Sequence, residues 1–320
     1  MNDIFKVPQI ITEAREAALK KAAPGKKPGL IWILCILITI GIMFMGIGVS
    51  MIVPMAMIVV RAIVVNTGLD SSFGFSEDGI MMLQLYPLVI VTILFILYAK
   101  LFEKRKARTL GFVKKGFLLQ YLLGLVIGFA AFSAAVGIGY LTGALTISAN
   151  SNVNVVTFIL YCGGWIIQGM EEEVVCRGFL FTTLSRRYSM PVGFVINSVY
   201  FACCHLGNPG IGILPLFNLF LFGAFATLLF IKTNNIWVCS AVHSVWNLVQ
   251  GNFYGISVSG NAQMTSFFTS TFVDGKEIWN GGAFGLEGGL CVTIVLLAGC
   301  VITALIPGAG TRSEKEKEEL

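Results

Sequence analysis

Leu30-Ile-Trp-Ile-Leu-Cys-Ile-Leu-Ile-Thr-Ile-Gly-Ile-Met-Phe-Met-Gly-Ile-Gly-Val-Ser-Met-Ile-Val-Pro-Met-Ala-Met-Ile-Val-Val60 contains no Asp, Glu, Lys or Arg. About eighteen such residues, rising about 1.5 Å each in a helix, already cross a hydrocarbon core of roughly 30 Å. Strands of a membrane barrel would alternate apolar and polar side chains, and this run does not. Comparable runs recur along the chain. With 56% hydrophobic and 12% charged residues and a mean hydropathy of +0.83, the 320 residues have too little polar surface to cover a soluble globule. The expected fold class is all-α: a polytopic transmembrane helix bundle solvated by lipid.

Outward from that run, a second segment covers Met82 to Leu101, a third Phe117 to about Ile147, and a fourth Val155 into the charges near Glu172. A fifth covers Val192 to Leu206, a sixth Ile213 to Ile231, a seventh Ile236 to Val249 and an eighth Leu290 to Ile306. Charge tests this count of about eight crossings, because short cytoplasmic loops collect Lys and Arg. Lys20, Lys21, Lys26 and Lys27 precede segment one, a basic loop from Lys100 to Lys115 follows segment two, Arg186 and Arg187 follow segment four, and Lys232 follows segment six. All fall on one side if the crossings alternate. The opposite loops are acidic or neutral: Asp70, Glu77 and Asp78, then Ser148 to Asn154, then Asp274 and Glu277. Both termini are therefore expected in the cytoplasm. Residues 1–28 read as a cytoplasmic arm with a short surface helix over Thr12 to Ala22, 29–310 as the transmembrane domain, and 311–320 as a charged tail. The first 28 residues are too polar for a cleavable signal peptide, and the chain is expected to be an integral protein of a bacterial plasma membrane.

The eight cysteines form no CxxC pair or zinc spacing and read as small buried hydrophobes. Basic residues cluster beside membrane segments without exposed aromatics between them, which indicates contact with membrane lipids and not with nucleic acid. The glycines of Gly281 to Gly289 follow no strand and precede no lysine, so they do not make a phosphate loop.

The segment Ile167-Gln-Gly-Met-Glu-Glu-Glu-Val-Val-Cys-Arg-Gly-Phe-Leu-Phe181 breaks the apolar pattern. Each charge facing lipid at a helix centre costs about 3 kcal/mol, so Glu171, Glu172, Glu173 and Arg177 must face the bundle interior, a wet cavity or the interface. In a helix Glu173 and Arg177 are four apart and pair on one face, while Glu172 projects about 100° away. The chain holds only two histidines, and both lie in membrane segments: His205 in Phe201-Ala-Cys-Cys-His205, and His243 in His243-Ser-Val-Trp-Asn247, where His243 and Asn247 share a helix face. Three segments thus contribute complementary polar groups.

Amide hydrolysis inside a membrane needs a wet pocket, a base for water, donors for the oxyanion and a proton for the leaving amine. A carboxyl group withdrawn from water holds its proton nearer to neutrality and can both take and return one. Glu172 is the expected base, with His205 steering the water and His243 and Asn247 donating to the oxyanion.

Glu172-Glu173-x-x-x-Arg177, Phe201-x-x-x-His205 and His243-x-x-x-Asn247, in that order on successive segments, resemble the three motifs of the CAAX protease and bacteriocin-processing family, also called ABI. That family includes the type II CAAX prenyl endopeptidases and is described as glutamate-dependent intramembrane proteases. The resemblance covers about Val155 to Gly251. It implies Glu172 and His205 as the water-activating pair, His243 and Asn247 as the oxyanion site, and Glu173, Arg177 and Phe201 in support. It also implies a peptide or protein substrate, lipid-modified or not, that reaches the cavity from the cytoplasmic side. Glu171 leaves the choice of base open by one position, and Cys176 stands where the family commonly has an aromatic.

Zinc accepts ligands of the kind that Glu172, His205 and His243 offer, but no HExxH spacing is present, and no cofactor is expected. Ser244 neighbours His243 in sequence yet points about 100° away on a helix, which disfavours a Ser/His dyad. A non-catalytic scaffold or bacteriocin-immunity protein could keep the same polar cavity, and a proton-coupled transporter could use it as a relay, although no inverted pair of broken helices is visible.

Overall fold

A computed structural model describes residues 7–19, 31–67, 76–261 and 265–308. The arm carries α1 (Gln9–Leu19), whose Ile10, Ile11 and Ala14 are buried against the bundle. The first apolar run forms two helices instead of one, α2 (Ile31–Ser50) and α3 (Ile52–Asn66). Pro54 lies in the first turn of α3, where an N–H has no intrahelical acceptor and proline costs little. The second segment is α4 (Glu77–Leu85), capped by the Ser76 side chain accepting from Gly79, and α5 (Val89–Leu101).

The third segment is α6 (Phe117–Leu141), which stops short of the expected Ile147. Gly143 takes a positive φ of 64°, which ends the helix. The alternating, β-branched Leu145-Thr-Ile-Ser-Ala149 becomes β1, paired antiparallel with β2 (Phe268–Phe272), a departure from the purely helical expectation. α7 (Val155–Glu173) runs into the charged stretch as expected, but the chain stays helical beyond it. It continues through a π-helical stretch, Val174–Phe181, into α8 (Thr182–Arg187). Then come α9 (Met190–Cys203), α10 (Ile213–Thr233), α11 (Trp237–Leu248), the short α12 (Glu277–Asn280) and α13 (Leu290–Leu305).

Every one of the eight expected segments is helical along most of its length. Ile33–Asn66, Glu77–Leu101, Phe117–Leu141 and Ile213–Thr233 are long and apolar enough to cross a membrane alone, and Met190–Cys203 and Leu290–Leu305 are shorter apolar helices. Large apolar side chains such as Leu119, Leu141 and Ile213 stand exposed on the outside, as lipid solvation requires. The chain is an all-α membrane bundle with a two-stranded accessory sheet.

Hydrogen bonds sort the connections onto two opposite faces. On the basic face, the Ile10 N–H donates to Asn234 Oδ1 (3.1 Å), Arg15 Nη2 to the Ser185 carbonyl (2.8 Å), the Ile236 N–H to the Gly111 carbonyl (3.0 Å) and Lys232 Nζ to the Ile306 carbonyl (2.7 Å). These bonds gather α1, the 102–116 connection, the α8–α9 and α10–α11 turns and the end of α13. Arg105 is buried there, donating to Thr109, Thr182 and Thr183, and burial pushes its guanidinium down to about 10. On the other face Asp78 accepts from Tyr161 Oη (2.7 Å) and Thr265 Oγ1 (2.6 Å), Asn208 Nδ2 donates to the Ser259 carbonyl (2.9 Å) and Asn280 Nδ2 to the Ala144 carbonyl (2.9 Å). The β pair lies with them. Lys20 to Lys27, Asp70 and the 311–320 tail lie outside the described residues.

Candidate active site

The α7 helix presents its carboxylates in different directions, as an advance of about 100° per residue dictates. Glu173 points into the protein and is fully buried. Its Oε1 accepts from Arg177 Nη1 at 2.9 Å, the expected i, i+4 pair, and lies 2.9 Å from His243 Nδ1 on α11. The Arg177 guanidinium also donates to the Gly223 carbonyl on α10 (3.0 Å) and stacks 4.7 Å above the Phe201 ring. An arginine so partnered satisfies a buried carboxylate and leaves it charged, so the carboxylate is the acceptor and His243 Nδ1 carries a proton.

Glu171 and Glu172 instead line a cavity of about 440 Å³ together with His205, His243 and Asn247. Glu172 Oε2 lies 3.8 Å from His243 Nε2, and its Oε1 accepts from the Gln168 amide one turn earlier. Asn247 Nδ2 donates to Gln168 Oε1 at 2.9 Å, so Gln168 links the carboxylate on α7 to the amide on α11. Asn247 keeps its second N–H in reserve.

His205 was expected inside a helix, but α9 ends at Cys203 and His205 sits in the turn beyond. The reason is local: its ring turns back so that Nδ1 lies 2.9 Å from the Phe201 carbonyl, which a continuing helix would have used. A carbonyl only accepts, so Nδ1 holds a proton, and Nε2 is the ring nitrogen left unengaged by Phe201. Phe201 therefore serves twice, its carbonyl orienting His205 and its ring lying between Arg177 and the aromatic face of Phe222 (5.6 Å between centroids).

Much of the remaining wall is apolar: Met43 and Ile47 on α2 and Met51 in the turn that follows it are spaced four residues apart and joined by Leu88 and Trp165, with Met81, Gln84 and Leu85 of α4 beside them. Glu287 also lines it, accepting from Trp246 Nε1, Gln250 Nε2 and the Ser259 N–H. Sequence reasoning missed Gln168, Asn208 and Glu287. Gln168 stands four residues before Glu172, a spacing that could have revealed it, whereas nothing local marks the other two. Ser244 is turned away from the cavity, its hydroxyl donating to the Ser240 carbonyl at 2.8 Å. Among the described residues no group of three or more His, Cys, Asp or Glu side chains is placed to hold a metal ion.

Residues 153–249 match the family model described as type II CAAX prenyl endopeptidase Rce1-like. Over that stretch the chain is similar to the Rce1-like family. The matched stretch runs from the start of α7 to the end of α11 and contains Gln168, all three adjacent glutamates, Arg177, Phe201, both histidines and Asn247. The wall of Met43, Ile47 and Met51, the α4 residues and Glu287 lie outside the matched stretch, and they complete the cavity. No curated protein and no solved structure matches the chain.

Proposed function

We propose that the chain is an intramembrane endopeptidase of CAAX-protease type that hydrolyses a peptide bond with water activated by Glu172. The reading is carried by one observation: Glu172, His205, His243 and Asn247, drawn from three segments, line a single cavity. In this mechanism a water donates one hydrogen bond to the Glu172 carboxylate and the other to His205 Nε2, which leaves an oxygen lone pair for the peptide carbonyl. Glu172 takes a proton as the new C–O bond forms. The oxyanion is met by the free Asn247 N–H and by Nε2–H of a doubly protonated His243, whose Nδ1–H is already committed to Glu173. Collapse of the tetrahedral adduct breaks the C–N bond, and Glu172 returns its proton to the leaving amine. Glu173 and Arg177 hold the His243 ring in place.

A quenched-fluorescent peptide library, offered to the detergent-purified chain, tests this. Glu172→Gln is expected to lower turnover by at least about 10²- to 10⁴-fold, the usual contribution of a general base. Glu171→Gln should retain most of it. Full turnover in Glu172→Gln would refute the mechanism, and loss confined to Glu171→Gln would move the base by one position.

A further inference from the structure

The cavity is not centred in the bundle. On α9 it is lined by Tyr200 and Phe201 of the last turn, followed by Cys204, His205 and Asn208 of the connection beyond. On α10 it touches Leu219 and Phe222, in the half nearest the helix start, and on α11 His243 and Asn247, in the half nearest the end. Val258, Ser259, Asn261 and Glu287 come from the long connection between α11 and α13. All these parts belong to the face that carries Asp78 and the β pair. None of the lining residues comes from the 102–116, 186–189 or 233–236 connections of the basic face.

Burial points the same way. Every residue from Glu173 to Ser185 and from Leu221 to Lys232 is buried, so the bundle below the carboxylates is a solid plug. Toward the other face Gln84, Cys204 and Asn261 are exposed and His205 and Asn208 half-buried. The plugged face holds Lys104, Lys106, Arg108, Lys114 and Lys115 in the 102–116 connection and Lys100, Arg186 and Arg187 in the last turns of α5 and α8, whereas Arg61 and Lys276 are the basic residues described near the open one, the latter beside Asp274 and Glu277. Short basic connections stay in the cytoplasm.

We infer that the cavity opens on the non-cytoplasmic side, and that its substrate is a peptide segment presented there, with apolar side chains flanking the scissile bond against the Met43, Ile47 and Met51 wall. This reverses the cytoplasmic approach that the family resemblance implies. It rests on the endopeptidase reading only for what is done to the peptide. The side of access rests on topology alone.

Native thiols make the test direct, because Cys203 and Cys204 beside His205 are exposed while the other cysteines are buried or half-buried. Intact cells expressing the unaltered chain are treated with a charged, membrane-impermeant maleimide, and labelled peptides are located by mass spectrometry. A Lys106→Cys variant provides the basic-face control. Labelling of Cys204 in intact cells, with the thiol introduced by Lys106→Cys labelled only after permeabilisation, is the expected result. The reverse pattern would overturn the inference. In parallel, the peptide library, in a form too polar to cross the bilayer, is offered to intact cells and to inverted vesicles. Cleavage by intact cells, lost in Glu172→Gln, supports the inference, and cleavage by inverted vesicles alone overturns it. Cys204 labelled from outside with no cleavage in either orientation would refute the endopeptidase reading while leaving the side of access standing.

Discussion

The Glu173 carboxylate on α7 and the His243 imidazole on α11 meet at 2.9 Å, with Glu173 entirely shielded from solvent. Because Arg177 reaches the same oxygen at 2.9 Å, one buried acceptor ties together a cation, an imidazole and two helices. Removing one partner of such a group leaves an uncompensated buried charge, which costs about 3–5 kcal/mol. Glu173→Gln should therefore lower the unfolding temperature in detergent strongly, and His243 should lose its fixed orientation and the chain its activity. Adding Arg177→Met removes the orphaned cation. The double variant is expected to regain much of the thermal stability and none of the turnover, a split that a purely structural role for Glu173 would not produce.

The Glu173–Arg177 pair was legible in the sequence because spacing of four on a helix is a local rule, and intramembrane charges demand partners. The eight segments were legible for the same reason, since lipid sets a minimum length and forbids unsatisfied backbone. What escaped was non-local. β1 and β2 pair Leu145 with Phe272 across the whole stretch from α7 to α11, and no local pattern announces a partner so distant. The turn of His205 out of α9 depends on its own side chain capturing the Phe201 carbonyl, and Glu287 joins the cavity through donors from three different stretches. The π-helical stretch after Glu173 has no compositional mark either, being apolar throughout except for Arg177.

Gln168 separates positioning from chemistry. Asn247→Ala removes a donor to the oxyanion and should lower turnover by about 10²- to 10³-fold with little change in apparent substrate affinity. Gln168→Ala leaves both Glu172 and Asn247 in place but unlinked, so its loss should be smaller and should be restored by Gln168→Glu less well than by the native amide, since only an amide donates to one partner and accepts from the other. Steady-state kinetics of the three variants on one cleaved peptide decides between these outcomes.

Close packing holds α11 where the mechanism needs it. A Cβ added at Gly124 of α6 would collide with the Val238 carbonyl and with Ala241, and one at Gly128 with Val245. Small residues let membrane helices approach this closely. Gly128→Val is expected to cost about 1–3 kcal/mol, as overpacking does, and to lower activity by displacing His243 and Asn247. Gly137, with open space around its Cβ position, is the control: Gly137→Ala should leave both the unfolding temperature and turnover near their native values.

The orientation of His205 makes a prediction about which isostere rescues it. With Nδ1–H given to the Phe201 carbonyl, the working atom is Nε2, which accepts from water. Glutamine sets an acceptor oxygen near the Nε2 position but loses the bond to Phe201, whereas asparagine keeps a donor near Nδ1 and supplies nothing at the far side of the ring. His205→Gln is therefore expected to retain more turnover than His205→Asn, with His205→Ala no better than asparagine. Were Nδ1 the atom that handles water, the order of glutamine and asparagine would invert. Comparing initial rates of the three variants at saturating peptide, with unfolding temperatures measured on the same preparations, separates the two assignments.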